Sequence, residues 1–291
     1  MKIAELLAAK PVTLSFEVFP PKTDAAFEPI QAAVHDIARL KPDFMSVTYG
    51  AGGNPADRST VQIASTIKHQ YHIEPLAHLT CVNSTREHIG LVLDDLRENE
   101  VENILALRGD LNPNVPPQTN YRYACDLIRE IERYGGFDIA AACYPEVHPE
   151  APNLEEDIQH LKEKVDAGAT HLISQLFFDN NDFYSFLYRV RQAGITVPVE
   201  AGLMPVTNRK QIERMVSLCG ASLPKKFVRI MHRYGDDPAA MQDAGIAYAV
   251  EQIVDLISNG VQGIHLYTMN NPTVAHRINQ AVASLIRCAN R

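Results

Sequence analysis

No stretch of this 291-residue chain is long and apolar enough to span a bilayer, and Met1-Lys-Ile-Ala-Glu5 lacks the apolar core of a secretory signal. A cytoplasmic location is expected, with no membrane partner. Basic blocks are missing too, and the net charge is −8, so nucleic acid is not expected as a main partner. Cysteine is sparse: Cys81, Cys125, Cys143, Cys219 and Cys288 are odd in number and include no C-x-x-C pair. They read as reduced thiols, mostly packed into the core. Several catalytic signatures are also absent. Without G-x-x-x-x-G-K-[ST] there is no phosphate loop, without G-x-S-x-G no nucleophile elbow, and without G-x-G-x-x-G no Rossmann dinucleotide site. No lysine ends an apolar run, where a Schiff-base aldolase on a barrel would carry one; Lys22 lies in the loop past Pro20-Pro21. His78, Glu146 and His148 would have to converge to bind a metal, but no H-x-H or H-E-x-x-H spacing supports them. Isolated histidines more often hydrogen-bond than ligate, so no metal is expected.

What the chain does have is a repeated strand signal. Eight short apolar runs cross it, at Val12–Glu17, Phe44–Thr48, Leu76–Cys81, Ile104–Asp110, Ile139–Tyr144, Leu172–Gln175, Val197–Leu203 and Ile264–Tyr267. Glu17, Thr48, His78 and Arg108 recur at a spacing of about thirty residues, the length of one strand–helix unit. Strands apolar on both faces suit a buried parallel sheet, and eight of them suit a closed (β/α)8 barrel, α/β in class. Chemistry on that fold collects at the C-terminal ends of the strands. With 46% apolar and 21% charged residues the chain can bury a large core, and its length suits a single barrel domain over 1–291.

Helices between the runs have readable ends. Phe27, Ile30, Val34 and Ile37 share one face after Asp24, and Pro42 marks the stop. Ser84-Thr-Arg-Glu87 reads as a capping box, and Asn153-Leu-Glu-Glu156 as a similar start. Gly168, Gly194 and Gly260 stand where a left-handed helix stop is needed. The rhythm breaks twice. Residues 110–120 form a proline-rich loop at the expected active end, and the stretch from Pro205 to Gly263 is long enough for three helices, near 208–219, 223–234 and 238–259.

The strand ends define a ring of polar groups. Glu17 and Asp110 are two acids ending strands one and four, and Arg108 stands two residues before Asp110, on the same strand face. Gly109 between them allows close backbone approach. Thr48, His78, Tyr144 and Gln175 add donors and acceptors. Such a ring suits a flat polar cofactor whose electronics the protein tunes.

Nine ordered segments closely resemble bacterial methylenetetrahydrofolate reductases: Ser15–Pro21, Ser46–Gly50, His78–Cys81, Ala106–Asp110, Tyr144–Glu150, Lys164–Ala169, Gln175–Asp179, Gly202–Val206 and Leu266–Asn270. The resemblance covers essentially the whole chain. It implies a barrel holding FAD at the C-terminal ends of its strands, and a ping-pong cycle. Hydride passes from NAD(P)H, expected to be NADH, to flavin and then to 5,10-methylenetetrahydrofolate, giving 5-methyltetrahydrofolate for methionine synthesis. It also implies a homo-oligomer and, at this length, no regulatory domain. Glu17 matches the family's general acid, which protonates N10 of the folate so that its five-membered ring opens to an iminium. Asp110 matches the aspartate beside the flavin. Gln175, Gln211 and Tyr267 match folate contacts, and Met215 stands where the family has a stacking phenylalanine, a change that weakens ring stacking but still covers an aromatic face. Thr48, His78, Leu107, Arg108, Gly109, Asp110, Tyr123, Ala124, Ala142, Tyr144, His148, Asp157 and Lys164 match FAD contacts. Tyr123, Asp157 and Lys164 would otherwise read as helix-surface residues. Two other enzyme readings stay open: a pterin methyltransferase on the same barrel, and a flavin subunit reduced by a partner protein. A non-catalytic binding module fits poorly with two acids aimed into one mouth.

Overall fold

A computed structural model describes residues 1–21, 27–49, 59–111 and 120–291, with the side chains of Phe27, Gln211, Glu213, Arg214, Ser217 and Leu218 left out of the description. Eight parallel strands close into a barrel in sequence order: β1 (Thr13–Val18), β2 (Phe44–Val47), β3 (Glu74–Thr80), β4 (Asn103–Leu107), β5 (Asp138–Cys143), β6 (His171–Ser174), β7 (Val199–Leu203) and β8 (Gly263–Tyr267). The ring shuts where Thr13 pairs with Gly263 and Glu17 with Tyr267. Among the described residues, each strand other than β7 is followed by one helix: α2 (Phe27–Ala38), α3 (Ser59–Tyr71), α4 (Arg86–Glu98), α5 (Ala124–Tyr134), α6 (Leu154–Asp166), α7 (Asn180–Gln192) and α11 (Pro272–Ala289). The expected (β/α)8 barrel is what the chain forms. Side chains on the outer faces of the strands pack beneath the helices as one continuous core, which takes in Val34 and Ile37 of α2.

The long stretch between β7 and β8 holds the three expected helices: α8 (Arg209–Cys219), α9 (Lys225–Tyr234) and α10 (Pro238–Ser258). They build a second core in which Phe227, Met231 and Met241 pack against Leu176, Phe178 and Met204 at the ends of β6 and β7. Gly168, Gly194 and Gly260 all take positive φ at helix ends, as read from the sequence.

Three details correct the sequence reading. β4 ends at Leu107, so Arg108 and Asp110 belong to the loop beyond it, and Gly109 at φ +85° breaks the alternation that would have put them on one face. The cap of α4 is Thr85, whose hydroxyl accepts from His88 N; Ser84 instead donates to Thr80 O. Asn153 caps α6 as expected. An additional helix, α1 (Ile3–Ala9), stoppers the N-terminal end of the barrel, where Ile3 and Leu7 meet Phe44, Leu76, Leu105 and Ile173. Its first amides find acceptors on strands, Ile3 N on Asn103 Oδ1 (2.9 Å) and Ala4 N on Asp138 Oδ2 (2.8 Å). With no cap of its own, α1 leaves no local signal. Asp24 and residues 112–119 of the proline-rich loop lie outside the described residues.

Candidate active site

The strands' C-terminal ends open into a cavity of about 650 Å³, a size typical of small-molecule and cofactor sites. Lining it are Glu17, Thr48, His78, Leu107, Arg108, Gly109, Asp110, Tyr123, Ala124, Ala142, Tyr144, His148, Asp157, Lys164, Gln175, Met215 and Tyr267. Of the residues expected at the site, Gln211 alone is not placed there, because its side chain lies outside the description. Glu146 is not on the wall; its Oε2 accepts from Ser222 N (2.8 Å), tying the loop after β5 to the segment ahead of α9. Among the described residues no cluster of three or more His, Cys, Asp or Glu is placed to hold a metal ion.

Glu17, the last residue but one of β1, lies within reach of three side chains. Ser46 Oγ donates to its Oε2 at 3.5 Å, and His265 Nε2 lies 3.6 Å away. His78 Nε2 approaches to 3.5 Å without completing a hydrogen bond. Burial, opposed by Glu17 and reinforced by His265, pushes the pKa of His78 down to about 4, so this ring faces the cavity uncharged at neutral pH. His265, Ser15 and Ser46 were missed by the sequence reading. The signal was present: His265 precedes Tyr267 by two residues and Ser15 precedes Glu17 by two, the spacing of side chains on one strand face.

Cationic groups gather on the side of β4 and α6. Arg108 makes a bidentate pair with Glu150, with Nη2 to Oε1 at 2.8 Å, which raises its already high pKa further. Gly109 is required twice over there: its φ is positive, and a Cβ would come within 2.9 Å of Thr80 Cβ. Lys164 is no surface residue, since its ammonium turns inward and donates to Ala142 O at 2.9 Å. Burial lowers its pKa despite the opposing pull of Asp157. Asp157 Oδ2 accepts from His148 N (2.9 Å), and His148 Nδ1 accepts from Glu150 N (3.0 Å), which leaves the proton of the neutral ring on Nε2. Tyr144 meets His148 edge to face at 4.6 Å. Between them Val147 takes φ +83°, a strained conformation for a β-branched residue, in the loop that presents His148.

Gln175 after β6, Met215 of α8 and Tyr267 of β8 line the rest of the cavity. Tyr267 Oη donates to Ser174 O (2.6 Å), which fixes the ring beside Glu17. Gln175 Oε1 accepts from Leu176 N (2.8 Å), leaving its amide nitrogen as the group it can offer a ligand. Met215 reaches the cavity from α8 and packs against the inserted core. Tyr123 precedes α5, half exposed at the rim, with its amide donating to Asp126 Oδ2 (3.0 Å).

Comparison with known proteins matches residues 2–283 to the methylenetetrahydrofolate reductase family. The chain belongs to that family. Among curated methylenetetrahydrofolate reductases, the 5,10-methylenetetrahydrofolate reductase of Pectobacterium carotovorum is 36% identical over 92% of this chain and 89% of its own length. That of Escherichia coli K12 is 35% identical over the same shares. Methylenetetrahydrofolate reductase (NADH) 1 of Arabidopsis thaliana is 36% identical over 92% of this chain and 48% of its own. Two solved structures share the fold alone. An uncharacterized Clostridium thermocellum protein that binds two copies of 5-methyl-5,6,7,8-tetrahydrofolic acid superposes with TM-score 0.62 at 13% identity, covering 96% of this chain and 99% of that one. A mutant tryptophan synthase alpha-subunit from Pyrococcus furiosus gives 0.56 at 11% identity over 96% and 99%.

Proposed function

We propose that this chain reduces 5,10-methylenetetrahydrofolate to 5-methyltetrahydrofolate with NADH, with FAD as its resident carrier. Family membership supports the reaction. The observation that carries the reading of the site is the gathering of the acid, the cations and the neutral ring donors around one cavity. The donor set suits FAD. Arg108 and Lys164 offer two cations to a pyrophosphate, and Lys164 has N–H groups beyond the one given to Ala142 O. His78 Nε2, buried and without a hydrogen-bond partner, suits a polar ring edge. Thr48, Leu107, Gly109, Asp110, Tyr123, Ala124, Ala142, Tyr144, His148 and Asp157 complete the walls. When bound, FAD supplies the two-electron carrier through which hydride passes from nicotinamide to folate.

The protein's own residues do the rest. Glu17 gives a proton to N10, and the C–N10 bond of the five-membered ring breaks to leave a cationic iminium at N5. Asp110 stabilises that cation by its negative charge. Gln175 and Tyr267 hold the pterin, with Gln211 assigned beside them by family position, and Met215 covers a ring face. Nicotinamide and folate use this face in turn, which makes the cycle ping-pong. The same reading assigns a homo-oligomer, for which Val228 and Tyr234 of α9 offer exposed apolar surface.

A visible spectrum of the purified protein tests the reading. Flavin absorbance should bleach with NADH in the absence of air and return on adding methylenetetrahydrofolate. A colourless protein that takes up no added FAD overturns the cofactor, and a flavin that NADH leaves oxidised points instead to reduction by a partner protein.

A further inference from the structure

One acid inside the barrel has no part in that chemistry. Glu200 of β7 is fully buried, and neither carboxylate oxygen has a hydrogen-bond partner. Its neighbour on β8 makes the space for it: Gly263 is its register partner, and a Cβ there would come within 2.4 Å of Glu200 Cγ. Ile173 of β6, its register partner on the other side, is apolar. An unpaired buried acid is costly to keep.

A line of polar side chains leads from Glu200 toward the cavity. Two residues along from Gly263 stands His265, in register with Ser15 of β1, and Glu17 follows two residues after Ser15. Glu200 leans over Gly263, where a Cβ would stand 3.1 Å from its Oε2, and at that point β8 alone separates it from β1; Ser15 favours its ionised form, while no hydrogen bond joins the two side chains. Ser15 Oγ is 2.7 Å from His265 Nδ1, and His265 Nε2 is 3.3 Å from Ser46 Oγ and 3.6 Å from Glu17 Oε2.

We propose that Glu200 is a positioning residue for Glu17: through Ser15 it sets which nitrogen of His265 carries the proton, and so whether His265 donates to Glu17 or accepts from it. This rests on Glu17 being the acid of the folate half-reaction. With Glu200 protonated, its hydroxyl donates to Ser15 Oγ and the Ser15 hydroxyl turns onto His265 Nδ1. Neutral His265 then carries its hydrogen on Nε2, aimed at Glu17 and Ser46. When Glu200 gives its proton to solvent, the Ser15 hydroxyl turns onto the new carboxylate. His265 Nδ1 loses its donor, so the tautomer bearing hydrogen on Nδ1 is favoured, and the Nε2 lone pair faces Glu17. In the first state His265 offers Glu17 a donor, and in the second an acceptor.

Burial raises the pKa of Glu200 to about 8, with Ser15 lowering it and Asp43 raising it. Other ionisable groups stand around the line. Asp43 lies just ahead of β2 and is paired with Lys10. His171 of β6 is fully buried beside Asp138 of β5, and burial pushes it down to about 4. His78 of β3 faces Glu17 from the cavity side.

Nitrogen NMR of the purified protein, labelled in its imidazole rings, reads the tautomer directly, with the His265 signals assigned by their loss in His265→Gln. Between pH about 6 and about 10 the wild-type ring should move from hydrogen on Nε2 to hydrogen on Nδ1. Glu200→Gln, whose amide can donate to Ser15 at every pH, should hold the Nε2 form throughout. It should also lose any alkaline decline in the folate half-reaction. Ser15→Ala cuts the same line without touching Glu200, and there the tautomer should cease to follow pH. A wild-type ring that keeps one tautomer or both protons across the range overturns the proposal, as does an identical shift in Glu200→Gln. The NMR readout needs no turnover, so a ring that switches in a protein unable to reduce folate would overturn the assigned reaction and leave the coupling standing.

Discussion

Glu17 is the residue on which the two half-reactions make different demands. Hydride transfer from NADH needs no acid at a folate nitrogen, whereas opening the folate ring does. Glu17→Gln preserves the size of the side chain and its hydrogen bond from Ser46, but an amide cannot supply the proton. Stopped-flow traces should therefore show normal flavin reduction by NADH. Reoxidation by methylenetetrahydrofolate should slow by roughly 10²–10⁴-fold, the usual worth of general acid catalysis. Equal losses in both half-reactions would mean that Glu17 supports the barrel or places the flavin. His78 bears on the same residue from the other side, and its ring stays uncharged at neutral pH because it is buried. It can therefore shape the pocket around Glu17 without adding a positive charge that would hold the carboxyl ionised.

At the scale of elements, the site depends on loops leaving neighbouring strands. The loop after β4 supplies Arg108, the loop after β5 supplies Glu150 and His148, and the bidentate Arg108–Glu150 pair joins the two. Glu150 is more than half exposed, so this pair contributes little to stability. Its effect is to orient the guanidinium. Arg108→Ala should accordingly leave the melting temperature nearly unchanged while weakening FAD retention, measured by fluorescence titration of the apoprotein, by at least about tenfold for a lost charge-assisted contact. If Arg108→Ala binds FAD as tightly as wild type, the pyrophosphate is held elsewhere.

For the molecule as a whole, groups locked inside the barrel tie stability to pH with opposite signs. His78 and His171 have folded pKa values near 4, against 6.5 when free. Their contribution is present above pH 6.5 and is lost as pH falls toward about 4, because the unfolded chain takes up two protons that the folded chain refuses. Glu200 acts the other way: raised from 4.5 to about 8, it contributes fully below 4.5 and loses that contribution as pH rises to about 8. Between 4.5 and 6.5 the two histidines outweigh the one acid, and between 6.5 and 8 the acid acts alone, so these groups place the stability maximum near pH 6.5. Urea unfolding across this range should show that maximum, and Glu200→Gln should abolish the decline on its alkaline side. A decline that persists unchanged in Glu200→Gln would show that Glu200 is not protonated in the folded protein.

The barrel was legible because its determinants are local and periodic. Eight apolar runs, each followed by a helix with its own cap or glycine stop, need no distant partner to be recognised. Glu17, His78 and Tyr267 could be placed at the mouth for the same reason, since a strand's end and its alternation are written along the chain. The positions of Arg108 and Asp110 were less legible, because Gly109 turns the backbone where Thr80 of the adjacent strand crowds it, and that crowding is a property of two strands. α1 left no signal, since its amides are capped by Asn103 and Asp138, about a hundred residues away or more. Lys164, which only the family resemblance had assigned to the site, turns inward because the barrel puts Ala142 O beneath it. Ser15, His265 and Glu200 come together only when β1 closes against β8 and β8 against β7. Sequence periodicity thus determined which residues face inward. Closure of the ring decided which of them meet, because residues far apart along the chain become neighbours only across the barrel's interior.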